Sequence, residues 1–380
     1  MFRIISPTGE QQIPVLTWKQ HLDAVTKNES FGDTEKKEIL DGIQKVIEVF
    51  GEDWPQQAAK TGHPLLHYLQ IDDWWTQLWL ADLGRRLGFL EGIPKFNDLL
   101  KRLKNSDQYI GAEPELDTAS RIKAAGFAIE LYPKVKKGEA DIKTTVDGDE
   151  LYLEVTSLEE SRTWRRAWNT FDQLGFPYVF DREVEIHSRI HKILAKPRVS
   201  EFRAKMERAI AKVKVTKEYE YVGEKQVFDC LVLHRGNRGQ LDTLLNTYRM
   251  EKGRIGPPLP EDDMRRLESK FWDEIVQIPR NKPSVIVVYC QSSQFYKGDD
   301  FFDELVYGIE DTIYEHNNLV FGIVVNRLDA KGKNICLRKP NYTLVRKSRH
   351  GWLSEDVIII ENRYSSFTHS QKLIAAFTDN

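Results

Sequence analysis

The spacing of apolar residues divides the chain into a helical part and a part rich in strands. In the segment IDDWWTQLWLADLGRRLGFLEG, which begins at Ile71, Trp75, Leu78 and Leu83 recur near helical spacing. The two aspartates before the tryptophans are typical of a helix start. We therefore predict an all-helical region over residues 1–104, with its tryptophans packed between helices, since bulky aromatic side chains usually fill cores.

Beyond residue 104 the pattern changes to α/β. Unbroken apolar runs occur at Val285 to Cys290, Leu319 to Val325 and Val357 to Ile360, and a helical pattern lies near Phe301 to Glu315. Continuous apolar runs of this length are typical of strands buried on both faces. The sequence therefore predicts an α/β domain over residues 105–380, a mixed sheet flanked by helices.

Within this α/β domain we expect three parts. The core covers residues 105–234, an insertion covers 235–282, and an extension of the sheet covers 283–380. The insertion is suggested by the density of glycine and proline in GNRGQLDTLLNTYRMEKGRIGPPLPEDD. In the core, the spacing of Val184, Ile186 and Ile190 predicts an amphipathic helix, and a second helix follows it.

The predicted helix brings two histidines, His187 and His191, to one face, four residues apart. Such a pair can bind zinc. No cysteine or carboxylate cluster is spaced to complete a zinc site, so a satisfied structural role is the simpler interpretation.

Composition narrows the class of protein. The net charge is −3, so no global positive field attracts nucleic acid, and any such contact depends on local basic patches. Cys230, Cys290 and Cys336 form no CxxC pair, which suits a reducing cytoplasm. The apolar runs are too short to span a bilayer and the first residues contain no signal-like run. We expect a soluble cytoplasmic protein with no membrane partner.

The stretch GEADIKTTVDGDELYLEVTS, residues 138–157, predicts a β-hairpin. Asp147 and Gly148 form a two-residue turn signal between strand-like runs. Centring the turn there pairs Ile142 with Leu153. It also sets Asp141 opposite Glu154 on the polar face of the hairpin.

Two facing carboxylates repel each other by about 1 kcal/mol in water and about 4 kcal/mol in a partly enclosed site. A divalent metal ion would offset that repulsion, and so would Lys143, which the alternation of the strand places on the same side. The competing interpretation is a solvated polar face whose charges have no chemical role.

The helix before the hairpin adds a third acid. In EPELDTASRIKAAGF, Glu115 shares a stripe with Ala119 and Ile122 and is directed towards packed surface. Glu113, Asp117 and Ser120 share another stripe, which we predict to be solvated.

The order helix with Glu115, strand, strand with Asp141, strand with Glu154 resembles the PD-(D/E)xK nuclease superfamily. The resemblance covers residues 105–157 in motif detail and implies a restriction-endonuclease-like fold. It implies that these three acids, and the carbonyl of Val155, hold Mg²⁺ or Mn²⁺. The sequence departs from the pattern at Ala140, where proline is usual, and at Thr156, where the lysine is expected.

Threonine supplies no positive charge, so the resemblance leaves two outcomes open. Either Lys143 has replaced the lysine, or activity is lost. In the first case the chain is a metal-dependent endonuclease that hydrolyses nucleic acid, expected to be DNA. Phosphate contacts would then come from Arg162, Arg165 and Arg166, which lie among tryptophans after the third strand.

Two alternatives to the nuclease belong to other functional classes. The first is a catalytically inactive module of the same fold that binds nucleic acid or a protein partner. The second places the function in the tryptophan-rich N-terminal region, with the α/β domain as its scaffold.

Overall fold

The structure is a computed structural model. It describes most of the chain, with several gaps. The described ranges are residues 15–135, 138–158, 166–167, 170–171, 174, 181–257, 263–279, 281–290, 299–328, 334–349, 353–367 and 371–378.

The described residues form two compact units. The first contains residues from 15–158 and 263–378, and the second contains residues between 166 and 257. This division differs from the one expected from the sequence. The N-terminal helices belong to the same unit as the large sheet, and the second unit takes in parts of both the expected core and the expected insertion.

The first unit begins with seven helices. They are α1 (Trp18–Lys27), α2 (Asp33–Phe50), α3 (Trp54–Thr61), α4 (Leu66–Leu69), α5 (Trp74–Leu90), α6 (Phe96–Lys104) and α7 (Tyr109–Ala124). Over residues 15–104 the predicted helical region is confirmed, and so is the start of α5 after Asp73; residues 1–14 lie outside the described residues. Trp18, Trp54 and Trp79 are buried in the apolar core, and Trp79 stacks on the Tyr68 ring.

Strands follow in the order of the chain. They are β1 (Ile129–Leu131), β2 (Lys134–Val135), β3 (Gly138–Glu139), β4 (Ile142–Val146), β5 (Asp149–Ser157), β6 (Val184–Ile190), β7 (Tyr219–Glu224), β8 (Phe228–His234), β9 (Arg254–Ile255), β10 (Ser284–Cys290), β11 (Leu319–Leu328), β12 (Ile335–Arg338), β13 (Tyr342–Arg349) and β14 (Leu353–Glu361). The later helices are α8 (Lys196–Thr216), α9 (Leu241–Tyr248), α10 (Asp263–Ile275), α11 (Asp299–Tyr314) and α12 (Gln371–Thr378).

The first unit contains a mixed eight-stranded sheet in the order β1-β4-β5-β10-β11-β14-β13-β12. Strands β5, β10 and β11 run parallel, and the outer strands are antiparallel to their neighbours. The three predicted apolar strands are β10, β11 and β14, which are central and buried on both faces as expected. One face packs on α7 and the N-terminal helices, and the other packs on α10 and α11.

The second unit is a four-stranded sheet in the order β7-β8-β6-β9. Helix α8 covers one face with Phe202, Met206 and Ile210, and α9 covers part of the other. The prediction of a helix around Val184 to Ile190 was wrong, because this segment is strand β6. Its apolar residues recur at spacings of two and four, which fit an alternating strand as well as a helix.

The two histidines therefore lie at a strand and not on a helix. His187 is buried, and its Nδ1 accepts a hydrogen bond from the Gly253 backbone N–H at 2.9 Å. Burial lowers the pKa of His187. His191 Nε2 lies 2.6 Å from Asp229 Oδ2, so each imidazole has its own partner.

A buried network of ion pairs fixes α7 between α5 and the sheet. Asp117 contacts Arg86 at 3.3 Å, Arg121 at 2.9 Å and Arg327 at 2.8 Å, and Arg121 also binds Glu355 at 2.7 Å. The prediction of a solvated stripe was wrong here. Its three members, Glu113, Asp117 and Ser120, are all buried.

Breaking a buried ion pair on one side leaves an uncompensated charge, at a cost of about 3–5 kcal/mol. The stripe is polar because Arg86 of α5 and Arg327 of β11 meet it, together with Arg121 of α7 itself. Helical spacing within α7 contains no information about Arg86 and Arg327.

Among the described residues, no helix is both long enough and apolar enough to cross a membrane.

Helices α2 and α5 approach each other closely at two glycines. A Cβ added at Gly84 would lie 1.8 Å from the Gly42 carbonyl oxygen, whereas one added at Gly88 would meet nothing within 4 Å. We expect Gly84→Ala to destabilise the first unit by about 1–3 kcal/mol or more, because the helices would have to separate.

Gly88→Ala on the same helix is the matched control. It should be neutral or stabilising by about 0.5–1 kcal/mol, because alanine restricts the unfolded chain and favours the helix. Urea unfolding followed by tryptophan fluorescence measures both. Equal effects of the two substitutions would contradict the close approach.

Candidate active site

The β4–β5 hairpin has the predicted register. Ile142 pairs with Leu153 and Lys143 with Tyr152, so facing residues follow the alignment centred on the turn. Asp147 and Gly148 have φ values of 52° and 98°, as a turn that matches the twist of the strands requires. The predicted hairpin is confirmed, and Asp141 directly precedes β4 at the level of Glu154.

Backbone contacts fix Asp141. Its Oδ2 accepts a hydrogen bond from the Val155 N–H at 2.8 Å, and its carbonyl accepts one from the Tyr132 N–H at 2.9 Å. The Asp141 side chain is thus held across the hairpin. Burial, followed by the negative charge of Glu115, raises the pKa of Asp141 to about 7.

Glu154 is the most poorly compensated acid of the group. It is 3% exposed, and its Oε1 is buried without a hydrogen-bond partner among the described residues. Burial, followed by the charges of Asp141 and Glu274, raises the pKa of Glu154 to about 9. The charge of Asp141 contributes to this rise because two like charges in one site disfavour ionisation of both.

Glu115 is buried as predicted, at 3% exposure, and it has a cation. Arg102 from α6 donates from Nη1 to Oε2 at 2.6 Å and from Nη2 to Oε1 at 2.7 Å. The Tyr132 hydroxyl donates to Oε2 at 2.7 Å. Burial raises the pKa of Glu115 despite these donors, so its environment disfavours charge.

Sequence reasoning missed a fourth acid, Glu274 on α10. It is buried, pairs with Lys270 at 3.0 Å and accepts from Gln277 at 2.6 Å, and its charge raises the pKa of Glu154. It was missed because residues 235–282 were assigned to an insertion. The spacing of Leu267, Phe271 and Ile275, each four residues apart, is the helical signal that would have identified α10.

The structure does not bring the Lys143 ammonium to the acid pair. Lys143 contacts Glu130 at 2.6 Å and Glu150 at 3.6 Å, on the neighbouring strands. Glu130 is the register partner of Lys143 on β1, and this pairing compensates the ammonium. Thr156 is half-buried in β5, in register with Val288.

Of the predicted phosphate-contacting arginines, Arg166 is exposed, and Arg162 and Arg165 lie outside the described residues. On α8, most of the basic side chains are in ion pairs with glutamates or an aspartate. This pairing is typical of a solvated helix face.

Within the described ranges, no group of three or more His, Cys, Asp and Glu side chains is arranged to hold a metal ion. Asp141 and Glu154 meet as a pair, Glu115 is bound by Arg102, and Glu274 is bound by Lys270. The site is therefore a carboxylate pair with two further acids around it.

Comparison with known proteins gives no relative: no family model, no curated protein and no solved structure matches this chain.

The raised pKa values of the pair make a prediction about stability. The folded protein binds protons at Asp141 and Glu154 more tightly than the unfolded chain does. Protonation of these two groups therefore stabilises the folded state at acid pH. This stabilisation is lost as the pH rises through about 7 and about 9. We expect Glu154→Gln to stabilise the metal-free protein at alkaline pH by about 1 kcal/mol or more, and to flatten its pH dependence.

Denaturant unfolding in a chelator across this pH range measures the effect. Asp149→Asn, at an exposed acid of the same hairpin, is the control and should leave the profile unchanged. A wild-type stability that rises between pH 7 and pH 9 would contradict the assignment.

Proposed function

We propose that this protein is a metal-dependent nuclease that hydrolyses phosphodiester bonds of nucleic acid, with DNA as its first substrate to test. The fold then proposed for the first unit is a divergent restriction-endonuclease-like core. In support, α7, β1, β4 and β5 present Glu115, Asp141 and Glu154 in the order that the family resemblance implies.

The observation that supports this proposal most strongly is the uncompensated charge of the pair. Glu154 is buried and Asp141 beside it is half-buried, both have raised pKa values, and Glu154 Oε1 has no hydrogen-bond partner in the described part of the chain. Folded proteins rarely leave a buried carboxylate oxygen without a partner. A divalent cation is the ligand whose charge and preference for oxygen fit this pair.

In this proposal Asp141 and Glu154 are the direct ligands of Mg²⁺ or Mn²⁺, with the Val155 carbonyl as a further candidate. A bound ion would lower the pKa of its water and stabilise negative charge on the phosphate. Asp141 is held for this role by the Val155 N–H, which keeps one of its oxygens fixed. Glu115 would act through its position beside Asp141.

A second candidate is a nuclease-fold module without catalytic activity, which binds nucleic acid or a protein. Two observations favour it. Thr156 stands where the lysine of the motif is expected, and Lys143 is engaged by Glu130 and Glu150 instead of the acid pair.

Cleavage of plasmid and oligonucleotide DNA in Mg²⁺ or Mn²⁺ separates the two candidates. We expect Asp141→Asn to reduce cleavage by about a hundredfold or more, because a ligand that stabilises charge in the transition state is lost. Asp149→Asn should retain wild-type cleavage. Full activity of Asp141→Asn would contradict the assignment of Asp141 as a metal ligand. No cleavage by the wild-type protein would favour the binding module.

Lys143→Ala tests the predicted replacement of the motif lysine. Loss of cleavage would show that the ammonium leaves Glu130 when substrate binds. Retained cleavage would agree with its pairing in the structure and require another cation beside the acids.

A further inference from the structure

Arg102 is the cation that the fold brings to the acids on the Asp141 side. Its guanidinium binds Glu115 through two hydrogen bonds, and its charge lowers the pKa of Asp141 against the larger effect of burial. The two lysines considered above are committed elsewhere, Lys143 to Glu130 and Lys270 to Glu274.

Tyr132, a residue with a strained backbone conformation, contacts Arg102 and the acids around it. Tyr132 has φ 50°, a left-handed conformation that is unusual for a bulky residue and costs about 1–3 kcal/mol. In that conformation its N–H bonds the Asp141 carbonyl, its hydroxyl bonds Glu115, and its ring lies 5.7 Å from the Arg102 guanidinium. One strained residue therefore ties Arg102, Glu115 and Asp141 together.

The guanidinium retains donors after these contacts. Arg102 uses three of its N–H groups, two on Glu115 and one on the Tyr132 hydroxyl at 3.0 Å. An arginine has five. No acceptor within the described ranges takes the other two, and the side chain is 32% exposed, so solvent or a ligand can reach it.

We propose that Arg102 binds a non-bridging phosphate oxygen of the substrate while it holds Glu115. This inference rests on the proposed nuclease function and names the cation that Thr156 does not supply. Arginine suits both tasks because its planar fork satisfies one carboxylate in two bonds and presents further N–H groups to an oxyanion.

The charges support the assignment. Arg102 neutralises Glu115, and a divalent ion would neutralise Asp141 and Glu154. A phosphodiester entering that balanced site adds one negative charge, and the unused N–H groups of Arg102 are the directed donors available to it.

The experiment measures binding of a labelled DNA duplex, in Ca²⁺, as a function of salt. It compares Glu115→Gln with the double variant Arg102→Gln, Glu115→Gln. Removing both partners together leaves no buried unpaired charge, and thermal melting confirms that each variant folds. We expect the double variant to bind about tenfold more weakly and its log–log salt slope to fall by about 0.9, the value for one lost phosphate contact.

Lys101→Gln is the matched control, since Lys101 precedes Arg102 on α6 but is 78% exposed. It should leave the slope unchanged. Equal binding by Glu115→Gln and the double variant would show that Arg102 only neutralises Glu115, and an equal loss in Lys101→Gln would show a diffuse charge effect. Either result overturns this inference alone. No binding by wild type would overturn the proposed function as well.

Discussion

Asp141 and Glu154 meet because the β4–β5 hairpin pairs in a single register. The left-handed residues Asp147 and Gly148 set that register, and a slip by one residue would turn Asp141 to the opposite face. Once the pair is formed inside the unit, burial makes both charges costly. The neighbouring acids have cations of their own: Arg102 neutralises Glu115 and Lys270 neutralises Glu274. In the proposed function a divalent cation neutralises the pair between them.

The site depends on a frame that crosses the whole first unit. Helix α7 supplies Glu115 at one side and, through Asp117 and Arg121, the buried ion pairs that fix it against β11 and β14. The position of Glu115 relative to the hairpin therefore depends on Arg327 and Glu355, which are far away in sequence. Tyr132, whose backbone is in the left-handed conformation, links the two acids: its hydroxyl donates to Glu115 and its N–H donates to the Asp141 carbonyl.

Local patterns predicted what local physics determines. The hairpin, its register, the burial of Glu115 and the central strands were read correctly from turn chemistry, alternation and apolar runs. Strand β6 was mistaken for a helix because its apolar spacing fits both. Glu274 and two partners of Asp117, Arg86 and Arg327, were missed because they come from distant elements. The contacts of Lys143 likewise depended on Glu130 of β1. A short stretch of sequence does not show which distant residue will pair with a buried charge.

Calorimetric titration with Mn²⁺ tests the central claim most directly, in buffers of different ionisation enthalpy at a pH between 7 and 9, where the pair retains a proton. A cation bound by Asp141 and Glu154 must displace that proton, so we expect about one proton released for each ion bound. Glu154→Gln should abolish the release. Binding without proton release, or no binding by the wild-type protein, would contradict the account.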